Sequence, residues 1–420
     1  MRKRAILAIA AGLVLLLSCR HGEVGTPLGE TYQRIARPVI WRTLPQGQAE
    51  QLGLKPGDVI LSYNDIPLVS NEDLLQIRTQ IADSQKLMPL VVLRGDEEIP
   101  LSVKPGPLGY VPESERYPSS LAIALEDILD HMGMEADYDW IAALTAESFT
   151  LTARGGVCPT KWPGGLSATY LDDVTDAVGL SLQSLYEPPE DDSVSAEDSG
   201  AVIEDIASAL DRGRIVLVRG GWPEPKSTEW GVVTRFDSDD SLLYGFVAGF
   251  AEEQPVTGRI IEAYAVRRGG HGHLEPEELL TTVLVQALEM GQAYADTGWQ
   301  SGIAAYDLWI GALDTVPFCP QCSTGSQACF DRLIWTLRAN KESANRLMDD
   351  MRIALPDQTS LIDEIIADNN AIIGKLDGIV QSSVRLGKLE DQHKLAMAIG
   401  EIELIESDLL QVYEDLIGAL

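Results

Sequence analysis

Basic residues are scarce in this chain: 32 lysines and arginines stand against 64 aspartates and glutamates, giving a formal net charge of -32 over 420 residues. That imbalance argues against nucleic-acid binding, which needs clustered Lys and Arg against phosphate, and it leaves no charge-based hold on anionic lipid. Histidine is rarer still, with His21, His131, His271, His273 and His393 making up the five. His271 and His273 stand close together, but without a third histidine or a paired carboxylate they make a poor metal site. Glu275, Glu277 and Glu278 read instead as acids in the first turn of a helix. Neither Gly155-Gly156 nor Gly220-Gly221 belongs to a strand–Gly-x-Gly-x-x-Gly–helix pattern, so no nucleotide site is indicated and no cofactor is called for. The apolar run Ala5 to Leu17 has 13 residues, too few to span a bilayer core of about 30 Å.

That run follows Arg2, Lys3 and Arg4 and closes on Leu16-Leu17-Ser18-Cys19, the layout of an export signal. The four closing residues resemble the lipobox of bacterial lipoproteins. The resemblance implies a signal peptide over 1–18, a lipid such as palmitate on Cys19, and a protein anchored in the cell envelope. Arg20, where an aspartate would retain the protein at the inner membrane, implies the outer membrane in a two-membrane envelope. Loss of the signal takes the net charge to about -35, a value read as solubility or a saline habitat. Cys158, Cys319, Cys322 and Cys329 remain, an even number that favours disulfides in one of three pairings. The Cys319-x-x-Cys322 spacing with Cys329 beyond it also suits zinc or redox exchange.

Residues 38–105 read as strands around two short helices. Pro56-Gly57-Asp58 is a turn followed by the alternating strand Val59 to Tyr63, and Asn64-Asp65 is a second turn. Ser70 or Asn71 caps a helix through Leu74, Leu75, Ile77 and Ile81, and Gly95-Asp96 joins a hairpin. The order small residue, Gly-Leu, Gly-Asp-Val-Ile, turn, helix, strand-Arg-Gly-strand resembles a bacterial PDZ domain of the periplasmic-protease type, over about 28–108. PDZ domains add an extended peptide to a sheet edge and hold its terminal carboxylate on loop amides. Two loops compete for that role: Pro27-Leu28-Gly29, taken first, and Gly106-Pro107-Leu108-Gly109 after the last strand.

From 115 to 315 the chain reads as mixed α and β. One helix runs through Leu121, Leu125 and Leu129 to Gly133, and another opens at Asp137 and runs to near Phe149. The acidic stretch 187–199 reads as a loop, Val202 to Leu210 as a helix and Ile215 to Val218 as a buried strand. Trp230 to Phe236 pairs with Leu242 to Phe250. Tyr138 to Leu144, Ala209 to Val218 and Ala305 to Trp309 resemble segments of the papain-like butirosin-biosynthesis acyltransferase and double-glycine-peptidase families. The resemblance implies a cysteine at the start of the first helix and a histidine on the facing strand. Here Ser119 and Ser120 occupy the first position and Trp230 or Glu229 the second, so a pseudoenzyme is expected and no catalytic residue is assigned.

Residues 316–420 carry the cysteine cluster and then helices. Leu361, Ile362, Ile365, Ile372, Leu376 and Ile379 recur at helical spacing, as do Ile402, Ile405, Leu409, Val412 and Leu416. The expectation is an α+β chain with a signal peptide, a small PDZ-like β domain, a papain-like α+β domain and a C-terminal helical bundle. Its expected partners are the membrane, through the lipid, and a peptide or protein ligand. Two alternatives stand beside this binding protein: a hydrolase or acyltransferase with a non-standard nucleophile, and a metal or redox protein built on Cys319, Cys322 and Cys329.

Overall fold

The structure, a computed structural model, describes residues 26–420 apart from 82–83, 135–136, 155–167, 188–195, 225, 270–271, 273, 294, 297–298, 315–325 and 383. Cys19, Cys158, Cys319, Cys322, His271 and His273 therefore lie outside the described residues. Over the rest the chain is mixed α+β, with several sheets and a helical C-terminal region.

Helix α1 (Glu30–Ala36) leads into β1 (Ile40–Thr43), α2 (Gln48–Gln51), β2 (Val59–Tyr63) and β3 (Ile66–Pro67). Helix α3 (Asn71–Gln80), the hairpin β4 (Met88–Arg94) and β5 (Glu97–Val103), and β6 (Tyr110–Pro112) follow. Strands β3-β2-β4-β5 form one antiparallel sheet, and β1-β6 form a separate two-stranded one. Local chemistry sets this outline. Asn64 and Asp65 both adopt left-handed φ, 54° and 61°, which suits a tight hairpin turn. Ser70 and Asp73 close a reciprocal capping box at the start of α3. In β4 the alternate residues Met88, Leu90 and Val92 are buried, and they pack with Ile40, Ile60, Leu74, Ile77 and Leu108 into one core. Asp58 pins the Pro-Gly-Asp turn: buried, it accepts from Arg94 Nε (2.8 Å) and Nη2 (2.7 Å) and from the Lys55 amide (2.8 Å). The bonds from Arg94 hold its carboxyl below the usual range.

A 3-10 turn (Glu113–Arg116) opens the middle region: α4 (Ser120–His131), α5 (Tyr138–Leu144), β7 (Thr152–Arg154), α6 (Ala168–Ala177), β8 (Leu180–Tyr186) and α7 (Ala196–Asp211). Then come β9 (Ile215–Gly220), β10 (Trp230–Asp237), β11 (Leu242–Val247), β12 (Gln254–Val256) and β13 (Ile260–Arg268). Helix α8 (Pro276–Ala293), β14 (Ala295–Asp296), β15 (Trp299–Ser301) and α9 (Ile303–Leu313) complete it. Six antiparallel strands lie in the order β12-β11-β10-β9-β13-β8. Both faces are covered: Leu217 and Val232 pack with α4, while Val216, Val218 and Val233 pack with Val202 and Ile206 of α7. Helix α4 is buried from Ser120 through Leu129, as suits a central helix covered on all sides.

Two details differ from the sequence expectation. Helix α5 ends at Leu144, not near Phe149, because Ala146 takes a left-handed φ of 57°. Helix α7 begins at Ala196, inside the stretch expected to be a loop.

Helices α10 (Ser326–Ala354), α11 (Thr359–Gln381) and α12 (Leu389–Ala419) form the C-terminal bundle. Cys329, expected in a loop, falls within α10. Ile362, Ile365, Ile372 and Leu376 meet Ile402, Leu409 and Leu416 in a core continuous with that of α4. One buried polar knot ties the bundle to the middle region. The fully buried Lys341 donates to Glu406 (2.8 Å) and to the Phe149 carbonyl (3.0 Å), and Tyr306 donates to Glu406 (2.8 Å). No described helix is long and apolar enough to cross a membrane.

Candidate functional site

The site is built around the loop Lys104–Gly109 and the strand it enters. Gly106 and Gly109 have φ of 113° and 77°, backbone that L side chains resist. Gly109 also lies against Gly47, so a Cβ there would stand 2.6 Å from the Gly47 Cα. Gln48 holds the loop shut: its Nε2 donates to the carbonyls of Lys104 (3.2 Å) and Pro107 (3.1 Å), and its Oε1 accepts from the Lys104 amide (2.8 Å). The Ala49 amide takes the Leu108 carbonyl (2.6 Å) and buries the Leu108 side chain in the core. Among the described residues nothing accepts from the amides of Leu108 and Gly109. Two orphan amides at a left-handed glycine form a concave donor site for an anion.

Strand β6 continues from this loop. The Leu44 amide takes the Gly109 carbonyl (2.8 Å) and the Glu113 amide donates to the Val39 carbonyl (2.8 Å), so the Gly109 C=O, the backbone of Val111 and the Glu113 N–H face β1. Strict alternation then points the Tyr110 N–H and C=O, and the Pro112 C=O, to the other side. There β6 has no strand neighbour among the described residues. Its side chains also alternate. Tyr110 leans to α3, where its hydroxyl donates to Asn71 Oδ1 (2.9 Å), and Val111 faces the opposite way beside Arg42. Burial raises the Tyr110 hydroxyl while the nearby Arg78 charge acts to lower it. Arg78 of α3 has a buried Nε with no acceptor among the described residues. Arg78, Gln48 and β6 were not singled out by sequence reasoning.

The first-named loop, Pro27-Leu28-Gly29, lies elsewhere. Gly29 caps α1 against α4, and its amide donates to both oxygens of Asp127 (3.0 and 2.9 Å), with the Thr31 amide adding a third bond (3.1 Å). The Phe246 ring fills the space a Cβ would need. Those donors do hold a carboxylate, but it is the chain's own, so the expected peptide contact at 27–29 is corrected. Around it, burial pushes Asp127 up to about 6 and Glu126, which pairs with Arg34 at 3.0 Å, up to about 7.

The start of α4 meets the start of β10. Ser120 Oγ accepts from the Trp230 amide (3.1 Å), and Ser119 Oγ accepts from the Ala122 amide (3.1 Å) as a helix cap. The Ser119 amide donates to the Tyr138 hydroxyl (2.9 Å). Ser119, Ser120 and Trp230 are 2%, 3% and 1% exposed, so substrate has no access to either hydroxyl. Among the described residues neither hydroxyl touches a histidine or a carboxylate, and no group of three metal-ligating side chains occurs. The disulfide, zinc and redox readings of Cys158, Cys319 and Cys322 fall outside the described residues, and the Cys329 side chain is likewise undescribed.

The chain matches no family model, and a search of curated proteins finds no similar sequence.

Proposed function

We propose that this is a lipid-anchored cell-envelope protein that captures the C-terminal ends of extended peptides or proteins. Capture takes place in a PDZ-like groove between β6 and α3. The observation that carries the reading is the pair of amides at Leu108 and Gly109 that have no acceptor among the described residues, directly ahead of a strand whose outer edge has no strand neighbour among them. A terminal carboxylate fits those amides, and the peptide backbone continues antiparallel along Tyr110. The middle region is a non-catalytic papain-like scaffold, because Ser119 and Ser120 are buried acceptors of backbone amides. Cys19 carries the lipid that holds the groove near the membrane.

The test is fluorescence anisotropy of dye-labelled hexapeptides ending in valine or leucine, each as free acid and as amide. The free acids should bind, and amidation should weaken binding about tenfold or more, since bonds to a charged group are each worth about 1.5–3 kcal/mol. Equal binding of acid and amide, or binding of neither, overturns the proposal.

A further inference from the structure

We infer that this groove selects peptides with acidic side chains at alternate positions ahead of the terminal carboxylate, read by an arginine-lined cleft on the far face of β1 and β6. The inference rests on the peptide-capture reading above and adds the class of ligand.

The cleft, of about 650 Å³, lies where β1, the 3-10 turn and α10 meet, and Arg42, Arg116, Arg338 and Arg346 line it. Four guanidinium groups in one place are unexpected in a chain with twice as many acids as bases. Carboxylates fix three of them in position. Arg338 bonds Asp377 (2.8 Å) and Glu342 (2.5 Å), Arg42 bonds Glu342 (3.1 Å), and Arg346 forks onto Asp139 (2.5 and 2.7 Å). The Trp41 ring lies under the guanidinium groups of Arg42 and Arg338, with 5.5 and 5.4 Å to its centroid. Arg116 is the exception, for its carboxylate contact is Glu113 at 3.7 Å, beyond hydrogen-bond length. The Nε groups of Arg42 and Arg116 have no acceptor among the described residues. Each guanidinium offers five N–H donors, so the cleft holds more donors than its own acids engage.

Strand geometry brings a ligand to this cleft. A peptide with its carboxylate at 108–109 and running antiparallel to β6 heads toward Pro112 and the turn that carries Arg116. Its side chains alternate between faces. Those on the Tyr110 face turn to α3, and those of the penultimate residue and the one two before it share the face of Val111 and Arg42, the side of the sheet from which Arg42 lines the cleft. At about 3.3 Å per residue the fourth residue from the end lies roughly 10 Å from the loop, near Pro112. Pro112 has no N–H, so the backbone ladder stops there and grip beyond it must come from side chains. Carboxylates on that face complement the unengaged arginine donors.

The experiment uses the full chain in detergent and labelled peptides of sequence Gly-Ala-Xaa-Ala-Xaa-Val with Xaa as Glu, Gln or Lys. The Glu peptide should bind about tenfold tighter than the Lys peptide at low salt, with the gap narrowing as salt rises. Arg116→Gln should shrink that gap without weakening the Gln peptide, and Arg116→Glu should reverse it. Equal affinities for Glu and Lys peptides, or a preference untouched by both Arg116 variants, overturn the inference while peptide capture stands. Failure of all three free-acid peptides to bind overturns both.

Discussion

Gly109→Ala isolates the loop from the rest of the fold. A left-handed backbone costs an L-residue about 1–2 kcal/mol, and the new Cβ would stand 2.6 Å from the Gly47 Cα, a backbone atom with little room to move. The loop must therefore back away from α2 by on the order of 1 Å, enough to break a hydrogen bond from a 2.9 Å amide. Loss of one charge-assisted bond, at about 1.5–3 kcal/mol, predicts peptide binding weaker by about tenfold to a hundredfold. Gly95→Ala is the control, since Gly95 is left-handed too (φ 60°) but an added Cβ there meets nothing within 4 Å. Both variants should lose about 1–2 kcal/mol in urea unfolding, whereas only Gly109→Ala should lose affinity in anisotropy titrations with free-acid peptides. Affinity within about twofold of the parent, or an equal loss in Gly95→Ala, would refute the assignment of the Leu108 and Gly109 amides.

Gln48→Ala removes the clamp on Lys104 and Pro107 without touching the amides themselves, so affinity should fall about three- to tenfold with a small stability loss, read by the same titration and by calorimetry. Stability should fall as pH rises from 5 to 8: burial holds folded Glu126 at about 7 and Asp127 at about 6, above their unfolded values, so protons retained by the fold are released across that window. The loss between pH 5 and pH 8, about 2–3 kcal/mol for Glu126 and about 1–1.5 kcal/mol for Asp127, is checked by urea unfolding at the two pH values, and Glu126→Gln should remove the larger share. Cys19→Ala should abolish incorporation of an alkyne-tagged palmitate and move the protein from the membrane pellet to the soluble fraction.

Turns, caps and stripes of the fold were legible because single residues set them. Asn64-Asp65 needs only its own left-handed φ values, Ser70 only Asp73 three residues on, and Ile362 to Leu416 only their spacing. Strand β6 was not legible. It has three residues, one of them Pro112, too few for alternation to register, and it begins two residues after the sequence boundary drawn at 108. Without that strand Gly106–Gly109 reads as a tail after a hairpin, and Pro27-Leu28-Gly29, ahead of β1, takes its place. The clamp from Gln48 spans 56 residues to Lys104, and no local pattern announces it. Ser120 and Trp230 stand 110 residues apart and meet through one hydrogen bond, a contact that no local pattern announces.

The misplaced loop clarifies the chemistry at the candidate site. Gly29 and Thr31 present amides at the end of a left-handed glycine and hold a carboxylate at 2.9 to 3.1 Å, the arrangement proposed for Leu108 and Gly109. At Gly29 the anion is fully enclosed, and burial raises its pKa despite those bonds, so desolvation outweighs hydrogen bonding there. A ligand carboxylate at 108–109 would sit beside the partly exposed Gly109 and keep part of its hydration. The amide geometry is thus adequate in both places, and what separates them is solvent. The enclosed one serves as a structural joint for α1, whereas the open one can exchange its anion.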